Sequence, residues 1–208
     1  MSLQPGYFDG VYADSDDPWG FADRWYEQRK RSLLLAALPR PRFRDAFEPG
    51  CSTGELTAAL APRCERLLAT DVAERPLAAA RARVAGQSHV SVQQLQVPQQ
   101  WPPRRFDLIV LSELGYYLDE ADLDQLLSAA ATTLAPDGVL VTCHWRHPAP
   151  EYPQTGDEVA AAVNGAARRH DWVSLVAHVE EDFLLDVHGA PGVASVAHAD
   201  GLLAGGAP

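Results

Sequence analysis

The stretch Phe47-Glu48-Pro49-Gly50-Cys51-Ser52-Thr53-Gly54 lies between two apolar segments. The first is the short run Ala46-Phe47, and the second begins at Leu56 with apolar residues at helical spacing. This order predicts a strand, a tight loop and a helix. Glycine lets such a loop turn sharply and approach a ligand closely, while the first turn of the helix offers unpaired N–H groups. We therefore predict a ligand-binding loop at residues 50–54, with Glu48 as a fixed negative charge beside it.

The spacing of polar residues after this loop indicates the class of ligand. A dinucleotide fingerprint needs three glycines in the order G-x-G-x-x-G, and only the first is present, at Gly50. The apolar run Leu67-Leu68-Ala69-Thr70 ends at Asp71, where an open α/β sheet places the acid that binds ribose hydroxyls. Together these features predict an adenosine ligand without a diphosphate. An ordinary turn at the loop, and Asp71 as a cap for the helix that begins near Glu74, are the plainer alternatives.

The composition limits the classes of function. With 208 residues, 47% of them hydrophobic, the chain is long enough for one globular domain with a normal core. Its formal net charge of -11 argues against nucleic-acid binding, which needs clustered Lys and Arg, and it is compatible with an amine-bearing substrate. Cys51, Cys64 and Cys143 form no C-x-x-C pair, so we predict neither a disulfide framework nor a metal site. No apolar segment has the length of a signal-peptide core or a membrane span, so we expect a cytoplasmic protein.

Predicted strands and helices alternate along the chain. The clearest strand, Phe106-Asp107-Leu108-Ile109-Val110-Leu111, is apolar on both faces, as strands of parallel sheets are. Five strands in this alternation predict an α/β fold with a doubly wound, mostly parallel sheet and helices on both faces. Two short strands at residues 173–179 and 183–188 have the pattern of a hairpin, which predicts one antiparallel strand.

The same pattern predicts one domain over residues 1–188. Residues 1–38 provide an N-terminal lead-in and an extra helix at about 18–38, and this helix is either a lid that closes over the site or a fixed packing helix. The Gly-, Ala- and Pro-rich residues 189–208 are expected to form a loosely held tail. Ligands of doubly wound sheets bind at the carboxyl ends of the strands, so the candidate site residues follow the predicted strands.

With these motifs assembled, the chain resembles the S-adenosylmethionine-dependent methyltransferases of the seven-strand class, and within them the nodulation protein S (NodS) family. The general match rests on Glu48-x-Gly50-x-x-x-Gly54, Asp71 and residues 106–110. The narrower match is carried by Trp25-Tyr26-Glu27-Gln28-Arg29-Lys30-Arg31, Gly50-Cys51-Ser52, Val97-Pro98 with Trp101-Pro102, Leu111-Ser112-Glu113 with Tyr116-Tyr117, His144-Trp145 and Thr155-Gly156-Asp157-Glu158. The resemblance spans roughly residues 17–188. It implies a seven-stranded sheet in the order 3-2-1-4-5-7-6, S-adenosyl-L-methionine as cofactor, and methylation of the amino group of a deacetylated chitooligosaccharide.

The candidate cofactor-binding residues follow from the loop, the sheet edge and this resemblance. They are Glu48, Gly50, Cys51, Ser52, Gly54, Asp71, Val72, Gln96, Val97, Ser112 and Arg29. Ser52 stands where many members of the class have a glycine. Gln96 stands where an Asp commonly receives the adenine amino group, which leaves adenine to Gln96 or to the N–H of Val97. Arg29 and Arg146 are candidates to bind the methionine carboxylate, with a solvated surface charge as the alternative for each.

The candidate catalytic residues are Glu113, His144 and Tyr116. Methyl transfer from a sulfonium is an in-line displacement, so the protein mainly supplies position and a dry site. An amine must be neutral to attack, and Glu113 is the first candidate and His144 the second to take its proton. Tyr116, together with Tyr117 and Trp145, is placed to stack on a sugar ring or to face the methylated nitrogen. Loop capping by Glu113, a structural His144 and packing of the aromatic rings are the alternatives.

The sequence therefore predicts a methyltransferase that acts on a small-molecule amine, such as an amino sugar or an oligosaccharide amine. O-methylation of a hydroxyl and a non-catalytic protein that binds S-adenosylmethionine or S-adenosylhomocysteine are the alternatives. A nicotinamide-dependent oxidoreductase is disfavoured by the missing fingerprint glycines. The oligomeric state does not follow from the sequence.

Overall fold

A single seven-stranded sheet organises the computed structural model, which describes residues 1–203. Its strand order is β3-β2-β1-β4-β5-β7-β6. The strands are β1 (Ala46–Pro49), β2 (Leu67–Asp71), β3 (Val90–Gln94), β4 (Phe106–Ser112), β5 (Leu134–Trp145), β6 (Val173–Val179) and β7 (Phe183–Gly189). β1 pairs in parallel with β2 and β4, and β7 runs antiparallel to both β5 and β6. The predicted mostly parallel sheet, its order and its one antiparallel strand are confirmed.

Helices cover both faces of the sheet. They are α1 (Pro5–Asp14), α2 (Trp25–Ala37), α3 (Glu55–Leu60), α4 (Glu74–Arg83), α5 (Glu120–Thr133), α6 (Gly156–Arg169) and α7 (Val196–Ala199). Successive residues of a strand point to opposite faces, and in β1 Phe47 packs in the core under α5 and α6 while Ala46 packs in the core under α2 and α3. Both faces of the central strands are therefore buried, which explains their continuous apolar sequence.

The N-terminal region differs most from its prediction. The extra helix begins at Trp25 rather than near residue 18, because the carboxylate of Asp17 accepts the N–H groups of Phe21 and Ala22 and holds a separate turn. The lead-in also contains α1, which has a proline in its first turn and buries Tyr12. The N-terminal region thus provides two helices, α1 and α2. Both lie over the carboxyl ends of the central strands.

At the C-terminal end, β7 runs to Gly189, and Ala190 is buried in the core. The division between a domain at 1–188 and a tail at 189–208 stays a prediction, and residues 204–208 lie outside the described residues. Within residues 1–203, the helices are all too short or too polar to cross a membrane.

Candidate active site

The loop between β1 and α3 has a backbone that requires glycine. Gly50 and Gly54 have φ angles of 77° and 79°, in the left-handed region that residues with a side chain seldom adopt. A Cβ at Gly54 would lie 2.9 Å from both Cα and Cβ of Ala80 on α4, which leaves no room for it. Ser52 also has a positive φ, of 50°, so the loop keeps its shape although serine replaces a glycine there.

Asp71, at the end of β2, ties this loop to the next helix. Its Oδ2 accepts the N–H of Ser52 at 2.9 Å, and its Oδ1 accepts the N–H of Ala73, the N-cap residue of α4, at 3.0 Å. Burial raises the pKa of Asp71, and the backbone donors oppose that effect. Asp71 can therefore both cap α4 and bind a ligand. Capping uses only Oδ1, and the carboxylate still borders a cavity.

A cavity of about 250 Å³ lies between the loop, the ends of β2, β3 and β4, and the N-terminal region. Six of the predicted cofactor residues line it, namely Gly50, Ser52, Asp71, Val72, Gln96 and Val97. Glu113 and Leu114, which follow β4, also line it. Its charged lining residues are the acids Asp71, Glu113 and Asp122, and none of its lining residues is Lys or Arg. The wall therefore favours a ligand with hydroxyl or amino donors over an anionic one.

The opposite side of this cavity is formed by residues 2–21. Tyr12 on α1 pairs its hydroxyl with Oγ of Ser52 at 2.5 Å, and the N–H of Leu3 donates to the carbonyl of Tyr117 at 2.9 Å. Ser2 hydrogen-bonds to Asp122 through its hydroxyl. The sequence predicts no site residue before Arg29, so the contribution of residues 2–21 comes from the structure alone.

A second cavity, of about 60 Å³, lies beside the first and shares Phe21, Gly50, Ser52 and Glu113 with it. Three further predicted residues line it, namely Glu48, Cys51 and Ser112. Helix α2 contributes Glu27, Lys30, Arg31 and Leu34. In contrast to the larger cavity, this one therefore has both cationic and anionic side chains in its wall.

Glu48 is the most deeply buried acid of the smaller cavity, at 3% exposed. Within residues 1–203, its Oε2 has no hydrogen-bond partner. Burial raises the pKa of Glu48 to about 8. A buried carboxyl oxygen without a partner is costly, so the site is suited to a ligand that supplies a donor or a positive charge there.

Glu113 stands at the junction of the two cavities. Its φ of 54° is unusual for a residue with a side chain. Its Oε2 accepts the hydroxyl of Tyr116 at 2.5 Å, and its Oε1 accepts the N–H of Trp145 at 3.1 Å. Nζ of Lys30 lies 3.3 Å from the same Oε1. The carboxylate is thus oriented by three donors from three different segments.

A family model described as nodulation protein S (NodS) matches residues 12–149, which include both cavities' sheet-edge residues. The chain belongs to the NodS family. It is 35% identical over 129 residues to nodulation protein S of Sinorhizobium fredii (strain NBRC 101917 / NGR234), a match that covers 61% of this chain and 60% of that protein. Nodulation protein S of Rhizobium tropici is also 35% identical over 129 residues, covering 61% and 54%. The match thus spans 54–60% of the length of these two relatives.

This NodS-family chain is also similar to solved structures of methyltransferases. The N-methyltransferase NodS of Bradyrhizobium japonicum WM9, in complex with S-adenosyl-L-homocysteine, has a TM-score of 0.76 and 26% identity and covers 89% of this chain and 97% of that one. A Pseudomonas syringae protein provisionally classed as a methyltransferase has a TM-score of 0.70 and 48% identity and covers 80% and 99%.

The other two candidate catalytic residues lie behind Glu113. His144 is 2% exposed and borders neither cavity, and its Nε2 accepts the N–H of Gly115 at 3.0 Å. Burial lowers the pKa of His144 to about 4, so the ring is neutral at pH 7. The geometry thus gives His144 a structural hydrogen bond in place of access to a substrate. Tyr116 is buried, stacks on Tyr152 and reaches the site only through its hydrogen bond to Glu113.

The structure places Arg29 and Arg146 away from both cavities. Arg29 makes a bidentate pair with Glu180 at 2.6 and 2.7 Å, and Arg146 pairs with Asp157 at 2.8 Å. The contact of Arg29 with the cofactor stays a prediction. Arg29 borders neither cavity, because neighbouring residues of a helix point about 100° apart. Its neighbours Lys30 and Arg31 are the basic residues that line the smaller cavity.

Glu27 and Lys30 are the functional candidates that the sequence reasoning missed. One signal was available, because Glu27, Lys30 and Leu34 lie at i, i+3 and i+7 on a single face of α2. Leu34 is part of the core, so the two charged residues on its face must also be buried. Two opposite charges on the apolar face of a helix indicate a buried site rather than a solvated surface.

Proposed function

We propose that this protein is a methyltransferase that uses S-adenosyl-L-methionine to methylate a small-molecule amine, such as an amino sugar or an oligosaccharide amine. The observation that carries the proposal is the pair of adjoining cavities that share Glu113, one suited to a nucleoside and the other to a zwitterion. The similarity to the N-methyltransferase NodS of B. japonicum supports transfer to nitrogen. The net charge of -11 supports a substrate that carries an amine rather than a phosphate.

The larger cavity fits the adenosine part of the cofactor. Asp71 uses one acceptor position on each oxygen for a backbone N–H, and each oxygen retains another for a ribose hydroxyl. Gln96 borders the same cavity, and its side-chain amide offers both an acceptor and a donor, which is the pairing that adenine accepts. Leu95 and Leu114 supply apolar surface for the base.

The smaller cavity fits the amino-acid part of the cofactor. The unpartnered oxygen of Glu48 is suited to the α-ammonium, and Arg31 and Lys30 are suited to the carboxylate. Arg31 has five N–H donors, and one of them donates to the carbonyl of Phe21 at 3.1 Å, so others are available to a ligand. When bound, S-adenosyl-L-methionine supplies a methyl group on a sulfonium.

In this proposal Glu113 faces the acceptor nitrogen. A carboxylate has about four acceptor positions, and its contacts within residues 1–203 use two on Oε1 and one on Oε2. The remaining position on Oε2 accepts an N–H of the amine and stabilises the positive charge that develops on nitrogen. Glu113 therefore orients the amine and receives its proton, while residues 2–21 on the opposite side of the larger cavity exclude water. We also infer that the protein acts in the cytoplasm, since its three cysteines are free and buried.

The test is a titration followed by a transfer assay. Calorimetry of the purified protein should show micromolar or tighter binding of S-adenosyl-L-homocysteine and no binding of a nicotinamide dinucleotide. Methyl-labelled cofactor is then supplied with glucosamine oligomers, with their N-acetylated counterparts as matched controls that keep every hydroxyl and block the amine. We expect label only in the free amines.

The other outcomes separate the alternatives. Equal labelling of the acetylated oligomers would make the protein an O-methyltransferase. Tight nucleoside binding without transfer to any amine would make it a binding protein. Absence of nucleoside binding would overturn the proposal.

A further inference from the structure

Lys30 is the single lysine of the chain, since the other sixteen of the 17 basic residues are arginine. It lies on α2 and is 5% exposed. Lysine is almost never buried to this extent unless it is paired. The one lysine of an arginine-rich chain therefore lies in the wall of the smaller cavity.

The contacts of Lys30 join α2 to the end of β4. Its Nζ lies 3.0 Å from both carboxylate oxygens of Glu27 and 3.3 Å from Oε1 of Glu113. The ammonium also lies 4.9 Å from the ring centroid of Tyr26. One positive charge thus stands between two carboxyl groups in a buried cluster.

The charge state of Lys30 excludes a role as a base. Burial opposes the charged form, but the carboxylates of Glu113 and Glu27 outweigh it, so the pKa of Lys30 is raised. The ammonium therefore persists at neutral pH and can only donate hydrogen bonds. Its Nζ donates to Glu27 and forms an ion pair with the same Glu113 oxygen that accepts the N–H of Trp145.

Glu113 needs such support because of its backbone. A φ of 54° is a strained conformation for a residue with a side chain, and it persists only where surrounding contacts hold it. We infer that Lys30 is a positioning residue, which fixes Oε1 of Glu113 so that the carboxylate stays at the junction of the two cavities with Oε2 available to the acceptor. This inference rests on the proposed function. It makes the docking of α2 a condition for an ordered acceptor site.

The first test uses the wild-type protein, in which labelling with ¹⁵N-lysine gives one side-chain signal. We expect the Nζ protons of Lys30 to exchange slowly with solvent, as for a buried ammonium. Glu113→Gln should shift the signal, and the matched control Glu181→Gln, which changes an exposed acid that does not contact Lys30, should not. Two outcomes would contradict the contact between Lys30 and Glu113. One is a lysine signal with the chemical shift and exchange rate of free lysine, and the other is a signal that neither variant shifts.

The second test compares Lys30→Met with Lys30→Arg by kcat at saturating cofactor and acceptor. Without the ammonium, Oε1 of Glu113 keeps only the N–H of Trp145 as a partner, so the carboxylate is less well fixed beside the acceptor. Lys30→Met should therefore lower kcat about tenfold. Lys30→Arg keeps a cation beside Glu113 and should restore most of kcat.

The readouts separate this inference from the proposed function. A purely structural role would lower the Tm of Lys30→Met and leave its kcat at saturating cofactor and acceptor unchanged, which would overturn the inference. Failure of the wild type to bind S-adenosyl-L-homocysteine would overturn the proposed function, while the labelled-lysine experiment would still decide the contact between Lys30 and Glu113. If Lys30→Met does not fold, the response of the lysine signal to Glu113→Gln decides the question.

Discussion

The two walls of the cleft are built in different ways. The sheet-edge wall, which comprises residues 50–54, 71–72, 95–97 and 112–114, is held mainly by hydrogen bonds of its backbone N–H groups. Those of Gly50 and Cys51 donate to the carbonyl of Thr70, and that of Ser52 donates to the carboxylate of Asp71. The N-terminal wall, which comprises residues 2–34, has one backbone hydrogen bond to this part of the fold, from Leu3 to Tyr117, and is otherwise held by side chains that reach across the fold. Examples are the contact of Tyr12 with Ser52 and that of Lys30 with Glu113.

This difference assigns a different property to each wall. Contacts with the backbone at the ends of strands are enforced by the sheet, so residues 50–54, 71–72 and 95–97 keep their shape without help from the N-terminal wall. The Glu113 side chain is the exception, because Lys30 of the N-terminal wall contacts its carboxylate. The N-terminal wall depends on a few side-chain contacts and is the part of the cleft that can open by losing them. We therefore expect the sheet-edge wall to determine cofactor affinity and the N-terminal wall to determine closure and the order of the acceptor site.

The largest effect is expected at Asp71. Asp71→Ala removes the acceptor for two ribose hydroxyls, worth about 3 kcal/mol, so the affinity for S-adenosyl-L-homocysteine should fall about 100-fold in calorimetry. Asp122→Ala is the matched change in the same cavity, and it should cost only a few-fold, because Asp122 contacts Ser2 of the N-terminal wall and Gln99. Equal losses in the two variants would show that both walls recognise the cofactor and would end the comparison. Circular dichroism checks that both remain folded.

An intermediate effect is expected at Glu48. Because the pKa of Glu48 is about 8 in the folded protein, this carboxyl is mostly protonated at pH 7. Binding of a ligand ammonium should ionise it, so calorimetry in two buffers of different ionisation enthalpy should show release of about one proton. Glu48→Gln should abolish that release and weaken binding about tenfold. Unchanged proton release in the variant would remove Glu48 from the ammonium site.

Glu48→Gln should also change the pH dependence of stability. A carboxyl group whose pKa is raised in the folded state does not lower the free energy of unfolding below its unfolded pKa of about 4.5. As the pH rises from there to about 8, the unfolded state ionises first and the free energy of unfolding falls. The wild type should therefore lose stability between pH 5 and 8 relative to Glu48→Gln, by about 3.5 kcal/mol. Urea unfolding at both pH values measures this difference, and parallel curves for the two proteins would contradict it.

The smallest effect is expected at Arg29. This side chain is half exposed and pairs with Glu180 outside the cleft, so Arg29→Ala should change the affinity for S-adenosyl-L-homocysteine less than about twofold. Arg31→Ala is its counterpart within the smaller cavity and should weaken binding about fivefold. A large loss of affinity in Arg29→Ala alone would show that Arg29, and not Arg31, binds the methionine carboxylate. The N-terminal wall would then extend to Arg29.

The sheet order, the family and the sheet-edge wall could be predicted from the sequence. The residues that give that wall its chemistry lie in short segments of sequence. Gly50 and Gly54 are four residues apart, and Asp71 directly ends its own strand. Parallel strands bring their carboxyl ends together at one edge, so local motifs alone indicate which residues meet there. For the same reason Gln96, Val97, Ser112 and Glu113 were found by their positions after strands.

Only the tertiary structure decided the N-terminal wall and the surroundings of Glu113. The contact between Lys30 and Glu113 joins residues 83 positions apart, and nothing in either segment specifies the other. Whether Arg29, Lys30 or Arg31 enters the cleft depends on the rotation of α2 about its axis, which its packing through Leu34 settles. His144 could not be judged from the sequence either. Its position near the end of β5 does not show that its ring is buried and accepts the N–H of Gly115.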